Sequence, residues 1–238
     1  MSWLQQFFRS SIGSKYVMAV TGILLLGFVI GHLVGNLQAF PWFGGRAGFN
    51  GYAEFLKQHP GITWPVRIVL LVIFGLHVAT GIRLARANRA ARPSRYAAET
   101  TIQASYASRS MVLTGLVTLA YLVYHLLHFT FGVTNPEHHA SREALAGGAS
   151  RHDVYVMLVK GFQSPGIAAA YLVAMVLLGL HLSHGVSSFW QSLGLHHGRY
   201  TPWLRRLGPV VGLVIAAAYI SIPVSVWLGI IALPQGGK

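Results

Sequence analysis

Apolar residues in this chain gather into five long runs, at 16–37, 62–84, 111–131, 167–189 and 210–233, each nearly free of charge inside. A helix crosses the ~30 Å hydrocarbon core of a bilayer in about 20 apolar residues. Lipid offers no water to a bare backbone, so segments of this kind must be helical. The pattern therefore predicts an all-α polytopic membrane protein, one membrane domain over residues 1–238 with five transmembrane helices. Pro223 interrupts the fifth run and is read as a kink whose freed carbonyl is covered by neighbours. Ahead of the first run, Trp3, Leu4, Phe7 and Phe8 share one helical stripe, which predicts a short helix lying in the interface. The first run is long enough to span, and no small-residue cleavage site follows a short core, so it is read as a span and not a cleaved signal. Trp42, Trp64, Trp190 and Trp203 fall near span ends, where indole rings anchor at the headgroups. The segment from about Gly132 to Pro165 reads as a long polar loop, and no internal repeat is obvious.

Composition narrows the chemistry. Only 10% of the 238 residues are charged and 53% are hydrophobic, whereas a soluble domain carries about 25% charged residues. A lone soluble domain and a disordered chain are both excluded. Cysteine is absent, so disulfides, thiolate catalysis and cysteine-held iron–sulfur clusters are excluded in this chain. With five carboxylates in all, paired acid–base hydrolysis is a poor fit. The net charge of +13 reads as topology, not as a nucleic-acid surface. Eleven of the 18 Lys and Arg (Arg9, Lys15, Arg83, Arg86, Arg89, Arg92, Arg95, Arg109, Arg199, Arg205, Arg206) fall on one side of the five spans and seven on the other. The positive-inside rule then puts the N-terminus in the cytoplasm and the C-terminus outside.

Twelve histidines are the notable excess. Spans one and two each hold one, His32 and His77. Span three holds His125 and His128, span four His181 and His184, and span five none. An ionisable residue inside a span is a functional candidate by default, although a lone buried histidine is ordinarily a satisfied core residue. His32 lies 16 residues beyond Tyr16, His77 15 beyond Ile62, His125 14 beyond Met111 and His181 14 beyond Ile167. At ~1.5 Å per residue each sits about 21–24 Å along its helix. Alternate spans run in opposite directions, so His32 and His125 are expected near the outer face and His77 and His181 near the inner face. In a core about 30 Å thick the two levels stand about 12–18 Å apart. Two facing imidazoles can hold one haem by its axial positions, whereas zinc prefers four ligands at one level. Gly31, Gly35, Gly75, Gly81, Gly179 and Gly185 offer room for a flat macrocycle, with plain helix packing as the alternative. Glycine follows four residues after His77, His181 and His128, so this pattern favours His181 over His184 but His128 over His125. Depth is compatible with either member of each pair. In the outer loop, Glu137, His138, His139 and His152 are a candidate surface metal group, with a solvated loop the more economical reading.

Four stretches carry a resemblance: Phe28-Val-Ile-Gly-His-Leu-Val-Gly-Asn36, Gly75-Leu-His-Val-Ala-Thr-Gly-Ile82, Thr114-Gly-Leu-Val-Thr-Leu-Ala-Tyr-Leu-Val-Tyr-His125 and Leu180-His-Leu-Ser-His-Gly-Val-Ser-Ser-Phe189. Together, in order and with a fifth span lacking histidine, they resemble the five-helix, di-haem cytochrome b subunit of succinate:quinone oxidoreductases and fumarate reductases. The resemblance covers all five spans. It implies His32, His77, His125 and His181 as axial ligands of two b haems, paired His32 with His125 and His77 with His181, and it demotes His128 and His184. It implies a bundle of four haem-ligating helices plus a fifth, in a bacterial cell membrane. It also implies a flavoprotein subunit and an iron–sulfur subunit on the cytoplasmic face and a membrane quinone, typically menaquinone, as electron acceptor in succinate oxidation, a step of the tricarboxylic acid cycle.

Haem propionates need cations or donors at the membrane edge. Lys15, Ser14 and Arg83 are candidates on the inner side, and Asn36 and Arg67 on the outer side. Glu54 in the first outer loop is the candidate proton donor for a quinone. The carboxylate that some di-haem fumarate reductases carry two residues before the fourth ligand is replaced here by Gly179. Two other readings are a free-standing di-haem carrier of the cytochrome b561 kind, disfavoured by its usual six spans, and a transporter using membrane histidines.

Overall fold

The computed structural model describes residues 2–91 and 105–234. Arg92, Arg95 and Lys238 lie outside them. Of the described residues, 81% are helical. In order, it contains α1 (Trp3–Arg9), α2 (Ser11–Leu37), a 3-10 turn (Pro41–Phe43), α3 (Gly45–Gln58), α4 (Pro60–Ala90), α5 (Tyr106–Arg109) and α6 (Met111–His125). The last continues as a π-helical turn over Leu126–Thr130. Then come α7 (Pro136–His139), β1 (Arg142–Ala144), β2 (Ser150–His152), α8 (Val154–Gln163), α9 (Pro165–Ser192) and α10 (Thr201–Trp227). Five helices (α2, α4, α6 with its π turn, α9 and α10) are long and apolar enough to cross a membrane. They leave large apolar side chains such as Leu71, Leu113, Val173 and Leu213 exposed, as a surface facing lipid requires and a surface facing water rarely tolerates. Four of the five helices match the predicted runs and extend or trim them by up to six residues.

The fifth differs more. α10 begins nine residues before the predicted start, runs unbroken through Pro223, and stops at Trp227 instead of 233. Its end is a glycine turn: Gly229 takes φ 72°, and the Ile230 and Ile231 N–H groups return to the Ser225 carbonyl at 2.9 and 3.1 Å. Such a left-handed glycine terminates helices by satisfying their last carbonyls. The apolar run simply continues past the helix, which hydropathy cannot see. The predicted short helix before span one is present as α1. Ser2 and Gln5 close a reciprocal capping box at its start, an arrangement that satisfies two orphan donors at once.

The 132–165 segment is not a plain polar loop. It contains the β1–β2 hairpin, paired antiparallel with Glu143 opposite Arg151, and α8, which buries Tyr155, Met157, Leu158, Val159 and Phe162. At ten residues α8 is half the length needed to span, so its apolar face marks a buried helix.

The chain divides into two compact units. One comprises Met1–Phe28, Ile68–Leu116 and Leu178–Val214. In it, Gly208 and Gly212 of α10 meet the backbone of α9, where added Cβ atoms would collide with the carbonyls of Ser183 and Gly179. This is the small-residue spacing that lets membrane helices approach closely. The Ser187 hydroxyl donates to the Ser183 and Arg205 carbonyls at 2.8 and 3.0 Å.

The other unit comprises Val29–Arg67, Val117–Leu177 and Ile215–Lys238. Its core gathers Ala39, Phe40, Tyr155, Val159, Phe162 and Ile231. Trp227 donates to the Phe162 carbonyl at 2.8 Å, and Tyr155 to the Ala232 carbonyl at 3.1 Å. A polar clip ties α3 to the hairpin and α8. Asn50 is 0% and Asp153 1% exposed. The Asn50 amide donates to Asp153 and Glu143, both at 2.9 Å, and its oxygen accepts from the Tyr155 N–H at 2.9 Å. Arg46 donates to Asp153 at 2.5 and 3.0 Å, and Arg151 to Glu143 at 2.6 Å.

Burial alone would raise the Asp153 carboxyl, but its bonds from Arg46, Asn50 and the Val156 N–H outweigh burial and hold it below its ordinary value. Glu143 is lowered likewise: burial opposes, and Arg151 and Asn50 prevail. Carboxyls depressed by folding stabilise it above their unfolded pKa values of about 4 and cease to do so as pH falls toward their folded ones. The clip is therefore expected to hold at neutral pH and loosen below about pH 4, seen as faster amide exchange in α3 and α8. Asp153→Ala orphans the buried Asn50 amide and is expected to cost about 2 kcal/mol or more, measured by thermal unfolding in detergent.

Candidate functional site

Each compact unit holds one pair of span histidines. In the first unit His77 of α4 and His181 of α9 face one another with ring centroids 6.4 Å apart and planes at 67°. Both rings are held from behind by a hydroxyl. Thr21 Oγ1 on α2 lies 3.0 Å from His77 Nδ1. Thr114 Oγ1 on α6 lies 3.3 Å from His181 Nδ1. Each hydroxyl hydrogen has a place on its own helix: Thr21 bonds the Val17 carbonyl at 2.6 Å, and Thr114 the Ser110 carbonyl at 3.1 Å. A hydroxyl that has given its hydrogen to a carbonyl can only accept from the imidazole. Hydrogen-bond accounting thus favours Nδ1–H on both rings, the tautomer whose lone pair is on Nε2. The residue after each threonine is glycine. A Cβ at Gly22 would stand 3.5 Å from His77 Cε1, and one at Gly115 3.3 Å from His181 Cε1, so each ring lies against a helix that carries no side chain there.

In the second unit His32 of α2 and His125 of α6 stand with centroids 5.8 Å apart and planes at 87°. The Tyr219 ring of α10 is 6.4 Å from His32, and its hydroxyl donates to the Val29 carbonyl at 2.8 Å. The Tyr171 hydroxyl of α9 lies 3.4 Å from His125 Nδ1. His128, in the π turn, is 1% exposed and stacks on Phe129 with centroids 4.0 Å apart. His32, His77, His125 and His181 are all half-buried, as is His184.

Two imidazole nitrogens bound at about 2 Å to one metal separate the ring centres by roughly 6 Å. The pairs at 6.4 and 5.8 Å fit that separation. Room is unevenly distributed among the six glycines of the sequence reading. A Cβ at Gly31, Gly75 or Gly185 meets nothing within 4 Å. Gly35 packs against Tyr52, Gly81 lies in contact range of Met18, and the Gly179 carbonyl faces Gly212.

Of the edge candidates, Asn36 donates to the His32 carbonyl at 2.7 Å, which engages its amide in closing the helix end. Arg83 is exposed and donates to the Phe8 carbonyl at 2.7 Å. Arg67 lies over the Trp64 ring at 5.2 Å. Lys15 is exposed and Ser14 buried, the Ser14 hydroxyl donating to the Ser10 carbonyl at 2.9 Å. Glu54, half-buried on α3, accepts from Gln58 at 3.2 Å. In the 132–165 segment Glu137 pairs with His138 at 3.4 Å and His139 with His152 at 4.6 Å between ring centroids. Among the described residues no group of three or more His, Cys, Asp or Glu side chains gathers as a metal site.

The two threonines were missed by sequence reasoning, yet they left a signal. Thr-Gly followed by nine residues and His occurs twice, as Thr21-Gly22…His32 and Thr114-Gly115…His125. Gly-Leu-His occurs three times, ending at His77, His181 and His196, the last beyond the fourth span. Comparison with protein-family models, curated proteins and solved structures finds no match to this chain.

Thr21→Val keeps the shape of the side chain and removes the acceptor from His77 Nδ1–H. It is expected to cost about 1 kcal/mol, read as a lowered unfolding temperature.

Proposed function

We propose that this chain is the di-haem cytochrome b membrane anchor of a succinate:quinone oxidoreductase or fumarate reductase. In this reading His77 with His181, and His32 with His125, are the axial ligands of two b haems. The observation that carries it is the pairing itself: four different spans each supply one imidazole, and the rings meet two by two at 6.4 and 5.8 Å. Zinc-type binding would need three or four ligands at one level, whereas a planar macrocycle needs two opposed ones. When bound, haem supplies one-electron transfer between the partner iron–sulfur subunit and a membrane quinone such as menaquinone. The residues of this chain do the rest. Thr21 and Thr114 fix the tautomer and aim of His77 and His181, a support that ligating histidines characteristically receive. Gly22 and Gly115 let those rings seat against α2 and α6. The open space at Gly31, Gly75 and Gly185 leaves room beside ligand helices. Glu54 is the candidate proton donor to quinone, and Lys15, Arg83, Asn36 and Arg67 the candidate propionate partners, with Asn36 the weakest because its amide is already bonded.

The same reading assigns the N-terminus to the cytoplasm of a bacterial cell, on the excess of Lys and Arg there. With no cysteine in the chain, the flavin and iron–sulfur chemistry belongs to partner subunits docked on that face.

Purified after haem supplementation, the protein is expected to show two low-spin haems in a reduced-minus-oxidised spectrum. His77→Ala and His181→Ala should each remove one of them and abolish succinate-driven quinone reduction; His32→Ala and His125→Ala should each remove the other. His128→Ala and His184→Ala should retain both. A wild-type preparation without haem bands rejects the cytochrome reading. Gentle solubilisation should also bring down a flavoprotein and an iron–sulfur protein, and isolation of the chain alone rejects the anchor role.

A further inference from the structure

We infer that Tyr171 is a positioning residue for His125, and that His128 is the far end of the same hydrogen-bonded chain. The inference rests on the haem reading above and gives His128 a role other than binding iron.

The Tyr171 hydroxyl lies between two imidazoles, 3.1 Å from His128 Nδ1 and 3.4 Å from His125 Nδ1. A phenol has one hydrogen to give and lone pairs to accept with, and buried polar atoms are expected to find partners. All three groups are partnered when one imidazole donates into the phenol oxygen and the phenol donates to the other. An imidazole that binds metal through Nε2 carries its hydrogen on Nδ1. His125 is therefore the donor, Tyr171 the relay and His128 the acceptor, with the His128 hydrogen on Nε2.

The surroundings of His128 close off its other nitrogen. Its Nε2 edge is packed against α8: a Cβ on Gly161 would stand 3.3 Å from Nε2 and 3.1 Å from Cε1. One ring face is covered by Phe129. The ring is 1% exposed, and its Nε2 has no protein partner. A macrocycle cannot reach that nitrogen without displacing α8, whereas the His125 ring is only half-buried. The hydroxyl is held in place by its own ring, which packs among Tyr121, Tyr124, Phe129 and Phe162 at centroid distances of 5.2, 6.0, 5.6 and 5.1 Å. Three of the four candidate ligands, His77, His181 and His125, thus have a hydroxyl on Nδ1.

A hydrogen bond accepted from Nδ1–H makes an imidazole a stronger donor to metal, and such bonds are one of the protein's levers on haem potential. Tyr171→Phe removes only the oxygen and keeps the packed ring. In the haem-loaded complex it is expected to retain two haems by pyridine haemochrome assay, to raise the midpoint potential of the haem lost in His125→Ala, and to leave the other haem's potential unchanged. The low-spin electron paramagnetic resonance signal of that same haem should shift. His128→Leu, which fills the site but offers no acceptor, should shift the same haem in the same direction by a smaller amount. Unchanged potential and resonance in Tyr171→Phe overturn the inference while leaving the di-haem reading intact; absence of haem from the wild type overturns both. Loss of a haem in His128→Leu, with Tyr171→Phe unaltered, makes His128 a ligand and also overturns it. Should either variant fail to fold, a density map of the loaded wild-type complex decides: a Tyr171 oxygen beyond about 4 Å from His125 Nδ1 is no hydrogen bond and overturns the relay.

Discussion

A neutral imidazole has one donor nitrogen and one acceptor nitrogen, and inside hydrocarbon neither can fall back on water. That constraint organises the interior of this protein. Orientation of a ligand histidine is often given to a carboxylate, but all five carboxylates of this chain lie outside the five spans. A carboxylate buried at that depth would carry a desolvation cost of several kcal/mol per charge. A hydroxyl does the orienting without charge. It can do so unambiguously only if its own hydrogen is already placed, and the helix provides that place in the carbonyl one turn back. Threonine on a helix is thus a directional acceptor, a property it lacks in a loop. With the Thr21 and Thr114 hydrogens placed on carbonyls one turn back, their oxygens favour one tautomer of His77 and His181, the one with Nδ1–H.

The second pair meets the same constraint with different means. His125 has no threonine on its Nδ1; a tyrosine from α9 reaches it instead. The longer side chain admits a third partner, and His128 is brought to the same oxygen. A π turn begins at Leu126, directly after His125, and its Phe131 N–H closes on the Leu126 carbonyl at 2.8 Å. Single π turns interrupt α-helices chiefly where function demands an altered side-chain direction. Here the change falls between the two histidines, so His125 and His128 do not take the α-helical relation that their spacing of three suggests.

That turn also explains what the sequence could and could not yield. Hydropathy located all five membrane helices, because each is a property of a long window. It overran the fifth, since Leu228 to Leu233 are as apolar as the helix that Gly229 terminates. It passed over α3 and α8 as loop, because neither is long enough to span. The pairing of histidines was legible from depth, which depends only on helix rise and alternating direction. Glycine spacing, which set His128 against His125, assumes a regular α-helix, and the π turn breaks that assumption. Thr21 and Thr114 went unread as isolated polar residues in apolar runs. Their meaning lies in the helix opposite, although the recurring Thr-Gly…His spacing was available along the chain.

The helix without histidine has its own place in this scheme. A ligand imidazole is only as well aimed as the helix that carries it, and in a membrane no hydrophobic force holds helices together; close packing and hydrogen bonds must. In the first unit α10 supplies Gly208 and Gly212, which bring its backbone against the stretch of α9 on either side of His181. In the second it supplies Tyr219, which bonds the Val29 carbonyl one turn before His32, and Trp227, which bonds the end of α8. Each of these contacts fixes a histidine-bearing helix or the helix that closes over His128. Within each unit, then, the helix without histidine grips its neighbours, by glycine in the first and by phenol and indole in the second.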